Sequence, residues 1–278
     1  MMSASSTPMD FAQRTNRLEI HHETQGDGPP IVFIHGLGAT SNAWHAQRMT
    51  LSKYFRVIVY DRSGCGRSPR ARDGYSIDGW ADELAELLDH LAVAAAVVVG
   101  HSLGSMIAQR FAAKYRTRIR ALVLAGGEAE LGPDGKAILT ERAQLIEAHG
   151  LTAAVDPWLN GVLSAATREA NPALAGLLRA MFLAYDDHTY AQHCLALRDG
   201  DVRGDHARIA CPTMLLVGDQ DPVTPLSWQQ QIAAGIADSR IRIIPNTAHM
   251  TMLESPAAFN TALLEFLATL DASPRRSG

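Results

Sequence analysis

Apolar residues follow two rhythms along this chain. Short, nearly continuous runs rich in β-branched residues occur at PIVFIHG (30–36), FRVIVYD (55–61), AAVVVGH (95–101), RALVLAGG (120–127), PTMLLVGD (212–219) and IRIIPN (241–246). Runs with no polar alternation suit strands buried on both faces of a parallel sheet. Between several of them the period changes to helical. IDGWADELAELLDHL aligns Trp80, Leu84, Leu87, Leu88 and Leu91 on one stripe, with Asp82, Glu83, Glu86 and Asp89 mostly off it, and Ser76 is placed to cap it. A last helix opens at Ser255-Pro256, a cap followed by Pro at the first helical position. The early stretch RLEIHHETQGDGPPIVFIHG reads as strand, turn, strand, which predicts an antiparallel edge hairpin. Alternation of this kind predicts a doubly wound α/β sheet.

The rhythm breaks once. From Glu128 to Gly204 no strand pattern occurs, and helix-prone pieces are punctuated by Pro133, Pro157 and Pro172. The expected organisation is therefore a core of residues 1–127 and 205–278, with 128–204 inserted as a helical cap over the carboxyl edge of the sheet. Open α/β sheets bind their ligands at that edge.

Composition narrows the class of function. Hydrophobic residues make up 47% of the 278 and charged residues 19%, as in ordinary globular chains. The net charge of -4, with no basic stripe, argues against nucleic acid or an anionic membrane surface as partner and leaves a small molecule. Cys65, Cys194 and Cys211 are widely spaced, so reduced thiols are expected rather than a disulfide framework or a zinc site. No apolar leader core and no membrane-length run occur, which predicts a cytoplasmic protein. The ends, Met1–Pro8 and Ser273–Gly278, are expected to fray.

The chemistry gathers at Gly100-His101-Ser102-Leu103-Gly104, which follows a strand pattern and precedes a helical one. In that context G-x-S-x-G is a nucleophile elbow, a sharp turn that presents a bare hydroxyl. A serine hydroxyl is a weak nucleophile at neutral pH and needs a base held by a third group. His249, just past the last strand run, supplies the base. For the acid, Asp219 and Asp221 both follow the preceding run. Asp221 is favoured because it lies farther into the loop with Pro222 after it, whereas Asp219 reads as a turn-former. Glu128 is a third candidate. Oxyanion donors are expected from the amides of Leu103 and of Leu37, the latter in HGLG. YDRSGCGRS lacks a phosphate-loop pattern, so no nucleotide cofactor is expected.

HGLG, DRSGCGRS, GHSLG, GDQDPVTP and NTAH together resemble the α/β-hydrolase superfamily, over the chain from Arg17 to Leu270. The resemblance implies an eight-stranded, mostly parallel sheet, a helical cap and no cofactor. It places Ser102, Asp221 and His249 at the triad positions and Leu37 and Leu103 at the oxyanion positions. HGLGATSNAWHAQ, TYAQHCLALRDGDVR and NTAHMTMLESPAAFN resemble the 3-oxoadipate enol-lactonase branch, although Ser105 stands where that branch often has a second Gly. A small ester or lactone is the implied substrate. C–C bond hydrolysis or a cofactor-free oxidative reaction on the same triad is the alternative, and a ligand-sensing receptor a weaker one. Candidate pocket residues are Gly36, His101, Trp44, Trp158, Phe182 and Tyr185, with Tyr190 beside them. Aromatic residues at helical spacing are more often cap-core packing. Arg198 is expected to pair with Asp199 or Asp201 rather than with a substrate carboxylate.

Overall fold

The computed structural model describes residues 19–272, and the two expected frayed ends lie outside that range. The strands are β1 His22–Gln25, β2 Pro30–Ile34, β3 Arg56–Tyr60, β4 Ala96–His101, β5 Ile119–Ala125, β6 Thr213–Gly218 and β7 Ser239–Ile244. They form one sheet in the order β1-β3-β2-β4-β5-β6-β7, parallel throughout except at β1. The described residues thus give seven strands where the resemblance implied eight. A correction concerns β1, which pairs antiparallel with β3, with Glu23 opposite Val59, and forms no hairpin with β2. β2 instead runs parallel between β3 and β4, and its apolar residues are buried.

The helices are α1 His45–Leu51, α2 Ile77–His90, α3 Leu103–Lys114, α4 Pro133–His149, α5 Val155–Val162, α6 Ala165–Ala170, α7 Pro172–Leu183, α8 Asp187–Arg198, α9 Leu226–Gly235, α10 Thr251–Glu254 and α11 Pro256–Ala272. Ser76 caps α2 through a bond from the Gly79 amide at 3.0 Å. Between β5 and β6 the chain is helical (α4 to α8) apart from one isolated bridge, Glu130 to Asp201.

Burial follows the sequence pattern except at one edge. β4 and β6 are buried at every position. β7, expected to be buried on both faces, is largely half-exposed: as the edge strand it has a neighbour on one side only, and its arginines stay near solvent, with Arg240 lying over the Phe266 ring of α11. Cys65, Cys194 and Cys211 are free thiols. The DRSGCGRS segment is a latch: Asp61 Oδ1 accepts from the Ser41 amide at 2.8 Å and Oδ2 from the Arg67 amide at 3.0 Å, while the buried Arg62 lies over Trp80.

What positions the site is the middle of the sheet. Gly100 of β4 stands level with Ile34 of β2 and Leu124 of β5. The three strands therefore end together, and the loops that begin at His35, Ser102 and Gly126 leave the sheet side by side.

Candidate active site

Ser102 sits between β4 and α3 with φ 52° and ψ -122°, a left-handed conformation that is strained for a residue with a Cβ. Its amide is held by the Ala125 carbonyl at 3.0 Å. The flanking glycines make the turn fit. A Cβ on Gly100 would lie 2.2 Å from the Gly104 carbonyl oxygen, and one on Gly104 2.4 Å from that of Ile34. The amides of Leu37 and Leu103 have no hydrogen-bond partner among the described residues.

His249 and Asp221 come from the loops after β7 and β6. Asp221 Oδ2 meets His249 Nδ1 at 2.9 Å and accepts from the Thr224 hydroxyl at 2.8 Å. Its Oδ1 accepts from the amides of Val223 at 2.8 Å and Thr224 at 3.0 Å. Burial alone would raise the Asp221 pKa. The His249 charge and the bonds from His249 and Thr224 outweigh it, so the carboxyl is held well below the usual carboxylate range. A carboxylate only accepts, so Nδ1 carries the proton and Nε2 is the basic nitrogen. For His249 burial disfavours the cation, but the Asp221 carboxylate, its hydrogen bond and the Glu128 and Glu254 charges together raise the pKa above 6.5. Gly126, at φ 54°, leaves room for the ring: a Cβ there would lie 3.0 Å from His249 Cε1.

Backbone ties keep His249 in place. His101 Nε2 donates to the His249 carbonyl at 3.0 Å. The amides of His249 and Met250 both approach the Val162 carbonyl, at the end of α5, at 3.2 Å. Glu254 joins the same parts, accepting from the amides of Ala248 at 2.9 Å and Ser164 at 3.0 Å.

Ser102 and His249 line one cavity of about 520 Å³, together with Leu37, His101 and Glu128. Most of the remaining wall is apolar, including Leu139, Trp158, Val162 and Met250, with Arg142 and Asp134 from α4 as further charged residues. Burial pushes the Glu128 carboxyl up to about 7, with the Asp221 charge acting the same way and against the lowering effect of the His249 charge.

A family model described as alpha/beta hydrolase fold matches residues 29–256. The chain belongs to this family. It is 30% identical over 239 residues to 3-oxoadipate enol-lactonase 2 of Acinetobacter baylyi, covering 86% of this chain and 88% of that protein. It is 29% identical to a putative carbamate hydrolase RutD of Variovorax paradoxus, covering 92% of this chain and 98% of that one. Among solved structures it is similar to the enol-lactonase from Burkholderia xenovorans LB400, with a TM-score of 0.85, 28% identity and coverage of 90% and 96%.

Within this α/β-hydrolase fold the expected site residues divide. Ser102, His249, His101, Leu37 and Trp158 reach the cavity, and Asp221 holds His249 from behind. Leu103 is fully buried, so only its amide is placed to act. Four expected pocket residues do not line the cavity. Trp44 packs in the core against Phe33 and Phe259. Phe182 packs between Trp158 and Tyr190 with its ring tilted to both. Tyr185 donates to the Ala39 carbonyl at 2.6 Å. Gly36 lies under the elbow, where a Cβ would meet His101 Nδ1 at 2.8 Å. Asp219 is exposed and accepts from the Thr247 amide, and Arg198 pairs with Asp199 at 2.7 Å. Sequence reasoning missed Thr224, Arg142 and Glu254. Only the Asp-Pro-x-Thr spacing of the first carried a signal, since an Asx-type turn brings a hydroxyl back to the carboxylate.

Proposed function

We propose that the protein is a serine hydrolase that cleaves small carboxylic esters or lactones through an acyl-enzyme on Ser102. One observation carries the reading: the Asp221–His249 hydrogen bond of 2.9 Å, in a wall of the cavity that Ser102 also lines. His249 Nε2 takes the Ser102 proton as Oγ attacks the carbonyl carbon. The amides of Leu37 and Leu103 receive the oxyanion, and the imidazolium, held by Asp221, returns the proton to the leaving oxygen. Water then repeats the sequence on the acyl-enzyme and frees the acid.

Residues 128–204 act as the cap in this reading, with α4 and α5 supplying much of the wall. The cavity accommodates a small, largely apolar acyl or alcohol group. Arg142 forms no ion pair among the described residues, which favours a substrate with a carboxylate, as a lactone acid has. Carbamate cleavage, named for one relative, needs the same acyl transfer and belongs in the substrate panel.

The test is hydrolysis of p-nitrophenyl acetate and of an enol-lactone by the wild type and by Ser102→Ala. The reading predicts a fall on the order of 10³-fold or more in the variant, with an unchanged melting curve. Turnover at the wild-type rate would overturn it.

A further inference from the structure

Glu128 is a buried polar group of the cavity that the proposed mechanism does not use. It follows β5 after two glycines, is 2% exposed and lines the cavity beside Ser102. Its backbone is fixed from three sides. The Glu128 amide donates to Ser105 Oγ at 3.1 Å, and its carbonyl accepts from Gln109 Nε2 at 2.8 Å. Gln229 brackets Gly127, accepting from its amide at 3.1 Å and donating to its carbonyl at 2.8 Å.

The carboxyl itself is incompletely satisfied. It lies in the field of the His249 and Asp221 charges, and among the described residues its Oε1 is buried with no hydrogen-bond partner. A buried acceptor without a partner is costly, and most native examples are paired with protein or water. The open side of the carboxyl is the cavity, where a substrate stands.

We propose that Glu128 is a specificity-determining residue that accepts a hydrogen bond from an N–H or O–H group of the substrate, near the scissile carbonyl. This rests on the hydrolase reading above. The carboxyl keeps an accepting oxygen whether it is ionised or carries its proton on the other oxygen. The carbonyl carbon must come within ~3–3.5 Å of Ser102 Oγ to react. A donor within a few bonds of that carbonyl, on its acyl or its alcohol side, is the kind that meets the Glu128 carboxyl in the cavity both residues line. Acylamino acids and hydroxy-substituted esters meet the condition, and plain alkyl esters do not. A site built around such a bond rejects analogues that lack the donor, because they leave the acceptor buried and unpaired.

Matched esters test this. N-acetylglycine p-nitrophenyl ester and p-nitrophenyl 4-oxopentanoate differ only by NH against CH₂ on the acyl side. Hydroxyethyl butanoate and propyl butanoate differ by OH against CH₃ on the alcohol side. For each pair the ratio of kcat/KM, donor over isostere, is compared between the wild type and Glu128→Leu, so that intrinsic reactivity cancels. At least one ratio is expected to fall about tenfold or more in Glu128→Leu and to be largely kept in Glu128→Gln, whose amide oxygen still accepts. Glu128→Met serves as the second apolar variant if the leucine protein does not fold. Equal loss on both members of both pairs would assign Glu128 to the triad chemistry or to folding and overturn the proposal, as would unchanged ratios. If hydrolysis depends on Ser102 and the ratios do not move, this proposal alone fails. If the wild type cleaves none of the esters, the hydrolase reading fails and takes it along.

Discussion

His101 donates from Nε2 to the backbone carbonyl of His249 across 3.0 Å, and so links the residue before the elbow serine to the loop after β7. Burial and the nearby His249 charge hold the His101 pKa down to about 3, so the ring stays neutral at working pH. Replacing it by Leu leaves the His249 carbonyl without a donor. The expected cost is roughly 1–3 kcal/mol of stability, with kcat falling about tenfold and KM little changed. Thermal unfolding and steady-state kinetics check both numbers. A variant with wild-type kcat would show that His249 does not need this tether.

The two aspartates after β6 are separable by mutation. Asp221→Asn keeps the shape but removes the charge that fixes the Nδ1 tautomer, and a fall in kcat on the order of 10⁴-fold is expected. Asp219→Asn, exposed and away from His249, should stay within about twofold of the wild type, as ordinary surface substitutions do. Thr224→Val should fall between them, since one of the two bonds to Asp221 Oδ2 is lost. Single-turnover rates give the order, and a reversed order for the two aspartates would contradict the assignment.

The acid limb of activity follows from His249. In the proposed mechanism only the neutral imidazole takes the Ser102 proton, and its pKa is raised above 6.5. Activity is therefore present above that raised pKa and is lost tenfold per pH unit below it. The midpoint of kcat/KM against pH should lie above 6.5. Glu128→Gln removes one of the charges that raise it and should move the midpoint down. A midpoint below 6.5 in the wild type would contradict the electrostatic account.

Glu128 also predicts how stability depends on pH. Its pKa is about 7 when folded against an ordinary 4.5, so the folded state favours the protonated form. Its contribution is fully present below 4.5 and is lost as pH rises through 7, because the unfolded chain ionises first. Glu128→Gln, neutral at every pH, should match the wild type at low pH and exceed it by up to roughly 3 kcal/mol well above neutrality. Glu83, which burial also raises to about 7, is common to both proteins and cancels in the difference. Urea unfolding across the range measures it, and a constant difference would contradict it.

Much of this was legible because backbone geometry wrote it into short patterns. Six of the seven strands coincide with the apolar runs, since a strand covered on both faces admits little else. Ser102 was readable because only small neighbours tolerate the turn between β4 and α3, and His249 and Asp221 because they follow strands that end beside it. The partner of β1 was not. A Gly/Pro turn before β2 looks the same whether the earlier strand folds back on β2 or passes to β3. Trp44, Phe182 and Tyr185 were misassigned to the pocket because helical spacing groups aromatic rings without saying whether that side meets a cavity or the core. Arg142 belongs to the same blind spot: it is one charged residue in a varied stretch, and only tertiary packing brings it to the cavity.

The central claim concerns the oxygen that takes up the acyl group, and trapping it is the most direct measurement. The protein is mixed with p-nitrophenyl butanoate, quenched in acid within milliseconds, digested and analysed by mass spectrometry. The account predicts a butanoyl adduct on the peptide carrying Ser102, formed with the burst of p-nitrophenol and absent from Ser102→Ala. A burst with the adduct on another residue, or full turnover by Ser102→Ala, would contradict it.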